Sequence, residues 1–448
     1  MNEETPNSAE APFLTTGPSL YPILAVNFVG TLGYSIILPF LIFLVTRLGG
    51  NALIYGIIGA TYPAFQLVGA PILGRWSDLY GRRKILLLSQ TGTLASWFIF
   101  LLALFLPISS ALNVDSAVFG KFSITLPIIV LFFARALDGI TGGNVSVANA
   151  YLADITDEEH RNENFGKMAI SANLGFILGP ALAGLLGATV LGETLPVLAA
   201  LVISFLATLM IAFKLPESHP CILNRDPESV NVRKIFGQEQ KECFEFKGGE
   251  KITLREIFKL NNIPYLMILY FLIFLGFNLF YTAFPFHAVK SLKWSITDTG
   301  MFFSVLSLMM VIVQGPVLSR VTKIWSDGFL IVIGSLILGT NFILLTSRNN
   351  VMIYMAAVLF ALGNGLMWPS VLATLSKAAG GKFQCSVQGF ASSVGSVASI
   401  LGLTIGGILY ELLGAGIFIL SSGIIYTVFF MALVLFCFRK DVPAIEDS

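Results

Sequence analysis

The sequence contains 448 residues, of which 55% are hydrophobic and 12% are charged, and its formal net charge is +1. Soluble domains carry roughly 25% charged residues, so this composition excludes an ordinary soluble protein and indicates one embedded in a bilayer. The near-neutral balance also excludes a nucleic-acid partner, which would require a strongly basic surface.

Twelve segments are mostly apolar and long enough to cross a bilayer, which takes about twenty residues. In chain order, predicted spans 1 to 12 cover residues 20–46, 53–73, 84–106, 126–153, 165–188, 194–214, 263–286, 297–317, 328–347, 351–376, 386–410 and 415–438. We predict an all-α integral membrane protein of twelve transmembrane helices in two six-helix bundles. Its predicted regions are a tail at 1–19, an N-terminal bundle at 20–214, a linker at 215–262, a C-terminal bundle at 263–438 and a tail at 439–448.

Lysine and arginine are distributed unevenly between the two sides of this topology. If both termini lie on one side, the short loops and C-terminal tail of that side contain twelve of them, against five in the opposite loops. Because cytoplasmic loops are enriched in Lys and Arg, we predict cytoplasmic termini in a multi-pass protein of the inner or plasma membrane. We expect a monomer.

The loop after span 2 reads GRWSDLYGRRK. Gly74 and Gly81 permit a tight turn, and Arg82 and Arg83 would anchor it at the anionic inner surface. Asp78 could accept hydrogen bonds at a helix N-terminus, where an anion is favoured. A basic cluster alone fits any inner loop, whereas the complete spacing is more specific.

Span 4 contains the only two charged residues between Leu126 and Ala153, Arg135 and Asp138. Arg135 lies about 14 Å into the span, near the middle of a core about 30 Å thick. Residues at i and i+3 share a helix face, so both side chains can point into one polar cavity. Either they neutralise each other and hold helices together, or Asp138 exchanges a proton beside Arg135.

Span 5 contains a glycine-proline pattern that recurs in weaker form in span 11. Small residues let membrane helices approach closely, and Pro180 removes one helical hydrogen bond; packing alone could explain both. The small residues of this motif and its proline are Gly175, Gly179, Pro180 and Gly184. FGKMAISANLGFILGPALAG aligns with QGFASSVGSVASILGLTIGG from residue 388, which indicates a duplicated six-span unit, an architecture typical of transporters.

Polar side chains inside several spans are candidates for a substrate cavity. These candidates are Asn27, Asn144, Asn149, Asn278, Tyr281 and Asn364. Tyr281 belongs to an aromatic face of span 7 that could line the cavity or pack against lipid or a neighbouring helix. No catalytic constellation, metal site or cofactor is expected.

Several of these stretches resemble those of one family. GRWSDLYGRRK resembles the signature of the major facilitator superfamily, RALDGITGG resembles the span-4 arginine motif of its drug:proton antiporters, and GFILGPALAG resembles their span-5 motif. Residues 139–166 are similar to the same region of tetracycline:proton antiporters. The resemblance implies two bundles, alternating access, a cavity formed mainly by spans 1, 4, 7 and 10, and a gating role for Asp78, Arg82 and Asp154.

The chain departs from this family in span 1, where Gly30 stands nine residues before Pro39 and the family often places an aspartate. Asp138 is therefore the best candidate for the proton carrier. We predict a secondary active transporter that exports a small organic or drug-like molecule by proton antiport. Proton-coupled uptake or uniport of a metabolite or siderophore, or a receptor without transport activity, remain alternatives; an enzyme is not expected.

Overall fold

The structure is a computed structural model that describes residues 20–37, 40–116, 118–142, 144–156, 161–218 and 262–438. The side chains of Asp78 and Asn144, and the predicted tails and most of the linker, lie outside the described residues. The elements before the linker are α1 (Tyr21–Ser35), α2 (Leu41–Arg47), α3 (Ala52–Tyr80), α4 (Arg82–Ala103), β1 (Ser110–Ser116), β2 (Gly120–Thr125), α5 (Leu126–Ile140), α6 (Asn144–Asp154), α7 (Arg161–Gly187) and α8 (Thr194–Lys214). Those after it are α9 (Ile263–Lys290), α10 (Ile296–Ile312), α11 (Leu318–Val321), α12 (Asp327–Leu344), α13 (Asn350–Leu413) and α14 (Gly416–Leu433), with π-helical turns at Val313–Val317 and Val434–Phe438.

Ten helical stretches of the described chain are long and apolar enough to cross a membrane. They correspond to ten of the predicted spans. The other two, spans 1 and 4, are each divided between two shorter helices, α1 with α2 and α5 with α6. Hydropathy predicts the extent of a span but not an interruption within it, because the interrupting residues are themselves small or apolar.

Spans 10 and 11 form one helix, α13, instead of two separate helices. The ring of Trp368 lies 5.2 Å from that of Tyr270, and a Cβ at Gly395 would lie 3.0 Å from the same tyrosine ring. A straight helix would separate Trp368 and Gly395 by about 40 Å. The helix therefore bends back on itself between the two spans.

Side chains at the helix starts explain several of the boundaries. Asn51 accepts a hydrogen bond from the backbone N–H of Ile54 at the start of α3. Ser295 and Asp298 form a reciprocal capping box at the start of α10. Such caps satisfy N–H groups that have no partner within the helix.

A β-hairpin joins spans 3 and 4, where the sequence predicts only a connecting loop. β1 and β2 pair antiparallel, with Val114 opposite Phe122. We call the end of the molecule that carries this hairpin the hairpin face. The opposite end, where the turn between α3 and α4 and residues 215–218 lie, is the linker face.

The helices before and after the linker meet through glycines near the hairpin face. A Cβ at Gly56 would lie 2.2 Å from the carbonyl oxygen of Leu403, so α3 contacts α13 backbone to backbone. A Cβ at Gly184 would lie 2.7 Å from the Cα of Gly300, so α7 contacts α10 in the same way. We call these two contacts together the glycine seam. They bring the two halves together toward the hairpin face.

Candidate functional site

Span 4 is interrupted in its middle. α5 ends at Ile140 and α6 begins at Asn144, which frees backbone carbonyl groups that water cannot satisfy inside a bilayer. Side chains of neighbouring helices supply the missing donors. Gln66 Nε2 donates to the Gly142 carbonyl oxygen at 2.9 Å, and the Ser89 hydroxyl donates to that of Thr141. Side chains of α3 and α4 therefore stabilise the interruption.

The charged pair predicted from the sequence lies just before this interruption. Arg135 Nη1 is 3.1 Å from Asp138 Oδ2, and the two side chains are only 4% and 7% exposed. The Ser96 hydroxyl of α4 donates to the carbonyl oxygen of Ala134, next to Arg135, at 2.7 Å. The ring of Tyr62 stacks on the guanidinium, whose Cζ lies 4.9 Å from the ring centroid. The pair thus packs against α3 and α4, inside the first half of the molecule.

Close helix contacts fix the position of this pair. A Cβ at Gly139 would lie 2.5 Å from the Tyr62 carbonyl oxygen, and one at Gly69 would lie 2.1 Å from that of Ile140. Larger residues at these two glycines would push α3 and α5 apart. Burial of a single unpaired charge would cost several kcal/mol of free energy. Asp138 has Arg135 as its partner, so its carboxylate can exchange a proton while it remains buried.

A second ion pair lies at the linker face. Arg82 Nε is 2.9 Å from Asp154 Oδ2, and both side chains are about nine-tenths buried. Arg82 also donates to the Ser77 hydroxyl at 2.7 Å, and the Ser218 hydroxyl donates to Asp154 at 3.0 Å. The arrangement ties the turn after α3 to the end of α6.

Of the two motif glycines expected to form this turn, Gly81 alone does so. Its φ of +98° is a conformation that glycine adopts readily. Gly74 instead lies inside α3, and a Cβ there would contact nothing within 4 Å. The side chain of Asp78 lies outside the described residues, so its gating role stays a prediction.

Glu217, which belongs to no motif of the sequence, caps this turn. Its Oε1 accepts the backbone N–H of Arg83 at 3.1 Å, at the start of α4. The Arg83 side chain donates to the carbonyl oxygens of Ile211 and Ala212. The hydroxyl of Tyr151 donates to the carbonyl of Pro216 at 3.1 Å. The segment after α8 therefore belongs to the linker-face site, although the sequence places it in the linker.

The span-5 motif joins α7 to two partners. Gly175 and Gly179 lie against α1, where the Ser35 hydroxyl donates to the Gly175 carbonyl at 2.8 Å, and Gly184 belongs to the glycine seam. Pro180 lies inside α7. Asn27, a predicted cavity residue, belongs to the α1–α7 contact, because its Nδ2 donates to the Met168 carbonyl at 2.9 Å.

The remaining cavity candidates each contact different neighbours. Asn278 Nδ2 donates to the Phe274 carbonyl at 2.7 Å and to Ser399 Oγ at 3.0 Å, which ties α9 to α13. Asn364 contacts the sulfur of Met310 at 3.8 Å. Asn149 is half-buried. The backbone carbonyl of Tyr281 accepts a bond from the Tyr55 hydroxyl at 3.4 Å, which joins the two halves.

The aromatic face of span 7 packs mainly against other rings. Tyr270 and Phe274 stack at 4.9 Å, and the Trp368 ring lies 5.1 Å from Phe274. Trp368 could not be selected from the sequence, because no pattern in span 10 shows which of its faces meets span 7.

A carboxylate at the hairpin face links the two halves. Glu411 Oε1, at the end of α13, accepts the Ala52 backbone N–H at 3.1 Å, at the start of α3. The same carboxylate pairs with Lys290 at 3.2 Å. Asn51 donates to the Phe119 carbonyl at 2.7 Å, in the hairpin turn. This cluster strengthens the glycine seam.

Comparison with known proteins identifies the family. The profile of the Major Facilitator Superfamily matches residues 23–343 and 266–448. The chain belongs to the Major Facilitator Superfamily. The described helices agree with the twelve-helix fold of this superfamily.

Curated relatives of this superfamily member are resistance proteins. The chain is 27% identical over 392 residues to the tetracycline resistance protein, class E, of Escherichia coli, covering 87% of each chain. It is 26% identical over 406 residues to multidrug resistance protein 1 of Bacillus subtilis (strain 168), covering 87% and 89%.

Solved transporters share the fold. The crystal structure of the human organic anion transporter MFSD10 (TETRAN) aligns with a TM-score of 0.62 at 22% identity, over 92% of this chain and 98% of that chain. The peptide transporter POT in complex with sulfate aligns with a TM-score of 0.66 at 14% identity, over 95% of each chain. Together the comparisons confirm a multi-pass membrane protein of this fold, and a secondary transporter of small molecules, not an enzyme.

Proposed function

We propose that this transporter exports a small, drug-like organic molecule in exchange for protons. The observation that carries the proposal is the buried Arg135–Asp138 pair beside the interruption of span 4. A carboxylate whose charge is balanced by one adjacent cation can change protonation state inside the membrane at a moderate cost. The relatives named for tetracycline and multidrug resistance support drug-like substrates.

The linker face is cytoplasmic in this proposal, with both termini on that side of the inner or plasma membrane. The excess of Lys and Arg in the loops of this face supports the orientation. The contacts of the hairpin face then close the pathway toward the outside. We expect the protein to work as a monomer.

In the proposed cycle, protonation of Asp138 cancels its attraction to Arg135. The Asp138 side chain is then free to move away from Arg135, and the helices around span 4 change their packing. The glycine seam and Glu411 release at the hairpin face, while the two halves come together at the linker face, where Arg82 and Asp154 lie. Release of substrate and proton on opposite sides returns the molecule to its starting state.

The proposal also includes the residues that were selected from the sequence. The gating loop comprises Gly74, Asp78, Gly81, Arg82, Arg83 and Asp154. The cavity candidates are Asn27, Asn144, Asn149, Asn278, Tyr281 and Asn364. Among these, Arg82 and Asp154 have the strongest structural support, because their ion pair joins two helices at one face.

The test is probe-dependent proton movement in liposomes that contain the purified protein, with tetracycline and ethidium as probes. Antiport predicts that addition of a probe outside drives protons out of an acidic lumen and that the probe accumulates inside. Absence of proton movement with both probes would contradict proton-coupled drug export. Movement of probe and protons in the same direction would indicate coupled uptake instead.

A further inference from the structure

Two residues of α3 lie between the charged pair and the interruption of span 4. Tyr62 and Gln66 are one helical turn apart and both half-buried. Gln66 Nε2 donates to the Tyr62 hydroxyl at 3.0 Å and to the Gly142 carbonyl oxygen at 2.9 Å. Neither residue belongs to the charged pair. Tyr62 contacts Arg135 of the pair, and Gln66 contacts Gly142 at the interruption.

The Gln66 amide has two hydrogens, which is the number these two acceptors require. One satisfies a carbonyl that the end of α5 has freed, and the other orients the Tyr62 hydroxyl. A Cβ at Gly142 would lie 3.1 Å from the same hydroxyl, so Tyr62 reaches the interruption as well. The glutamine therefore fixes the interruption and the tyrosine at the same time.

Tyr62 also contacts the pair itself. Its ring centroid lies 4.9 Å from Arg135 Cζ, a distance at which the ring face attracts a guanidinium. The attraction does not depend on the charge of Asp138. Tyr62 can therefore keep Arg135 in place when the aspartate becomes neutral and the ion pair weakens.

The interruption connects this centre to the linker face. α6 begins after it and ends at Asp154, the partner of Arg82. The pair lies before the interruption and the gating aspartate after it, on one predicted span. A change in how Gln66 holds Gly142 would therefore alter the position of Asp154 relative to Arg135.

We infer that Tyr62 and Gln66 are positioning residues that couple the state of the Arg135–Asp138 pair to the interruption of span 4. The inference rests on the proposed proton coupling. Tyr62 stays in contact with Arg135 throughout the cycle, and Gln66 transmits movement of the Tyr62 hydroxyl to the backbone at Gly142. Loss of either residue leaves substrate binding in place and uncouples it from proton movement.

The test replaces Gln66 by Met, which has similar length and no polar hydrogens. Its matched control is Gln90→Met, because Gln90 also donates from a predicted span to another helix, at 3.0 Å to Ser204 Oγ, without contacting the pair. In liposomes with ethidium as probe, Gln66→Met is expected to lower probe-driven proton flux about tenfold, with probe affinity within about threefold of wild type. Gln90→Met is expected to keep both values.

Two variants of Tyr62 separate the contribution of its ring from that of its hydroxyl. Tyr62→Phe keeps the ring beside Arg135 and removes the hydroxyl, so it is expected to retain more coupling than Tyr62→Leu. Equal coupling in wild type, Gln66→Met and Tyr62→Leu would overturn the inference. Equal losses in Gln66→Met and Gln90→Met would also overturn it, because a general loss of packing would explain them.

Amide hydrogen exchange separates this inference from the proposed function. In the purified full-length protein without any probe, Gln66→Met is expected to speed exchange at the interruption, residues 141–145, about tenfold, whereas Gln90→Met leaves it unchanged. Unchanged exchange in Gln66→Met would contradict the positioning role even if the wild type moves protons. Faster exchange, together with a wild type that moves none, would contradict the proposed function instead.

Discussion

The two halves of the transporter stabilise their interiors in different ways. In the described first half, polar side chains connect the helices: the Arg135–Asp138 pair, the Gln66 and Gln90 amides, and the Asn27 contact to α7. In the second half, aromatic rings fill the space between α9, α10, α12 and α13. Their contacts include those of Phe280 with Phe342 and Phe360 and that of Phe284 with Phe302.

This difference assigns a change of state to the first half and a rigid support to the second half. A charged pair has two protonation states, and each state favours different partners. Packed rings have no comparable second state, so they hold their helices in a fixed arrangement. We therefore assign proton coupling to the first half and a more rigid surface to the second. Variants on the two sides of this division are expected to behave differently.

The largest expected effect is on stability, from Arg135→Met. It leaves the Asp138 carboxylate buried without its cation and is expected to lower the free energy of unfolding by about 3–5 kcal/mol. Chemical denaturation in detergent micelles measures this loss. Phe280→Leu in the second half should lose less than about 1.5 kcal/mol. A smaller loss of unfolding free energy in Arg135→Met than in Phe280→Leu would contradict the conclusion that polar contacts stabilise the first half.

The second effect is on the glycine seam. Gly184→Val introduces side-chain atoms where a Cβ already lies 2.7 Å from the Gly300 Cα, and overpacking costs about 1–3 kcal/mol. We expect the variant to populate the state that is closed at the hairpin face less than the wild type does, and to transport more slowly. Gly423→Val is the control, because a Cβ there would contact nothing within 4 Å. Similar transport rates in the two variants would argue against the seam as a closing contact.

The third effect is on turnover at the linker face. Arg82→Ala removes the partner of Asp154 and is expected to reduce turnover about tenfold, with probe affinity changed by less than about twofold. Lys121→Ala breaks an exposed pair with Asp115 on the hairpin and should have no measurable effect. Unchanged turnover in Arg82→Ala would show that the ion pair has no role in gating.

The smallest effect is expected for Glu411→Gln. The amide oxygen can still accept the Ala52 backbone N–H of the first half, but without its charge the bond is weaker. The lost pair with the half-exposed Lys290 contributes about 0.2–1 kcal/mol. The variant should open the hairpin face slightly more often. Maleimide labelling of Leu53→Cys, buried at this seam, would then be about two- to fivefold faster, with the native cysteines replaced. Slower labelling would mean that Glu411 holds the face open.

The sequence was informative where a pattern lies within one helix. The spacing of Arg135 and Asp138 predicts that they share a face, and they form a pair at 3.1 Å. Hydropathy predicts the spans, and the glycines of span 5 predict close helix contacts. These inferences depend on local periodicity, which one sequence contains.

Contacts between distant segments could not be predicted in this way. Nothing in span 2 shows that Tyr62 faces Arg135, because the rotation of one helix against another depends on the packing of all its neighbours. Glu217 and Glu411 follow predicted spans directly, where an acidic residue is ordinary. The structure gives them partners in other helices that no spacing indicates.

The most direct test of proton coupling through Asp138 compares two transport modes of Asp138→Asn in liposomes. Exchange of labelled for unlabelled probe needs no net proton movement, whereas accumulation driven by a pH gradient does. We predict that Asp138→Asn retains exchange and loses gradient-driven accumulation, while Glu193→Gln, which removes the charge of an acid paired with Arg47 at the hairpin face, retains both. Full gradient-driven accumulation in Asp138→Asn would contradict the account.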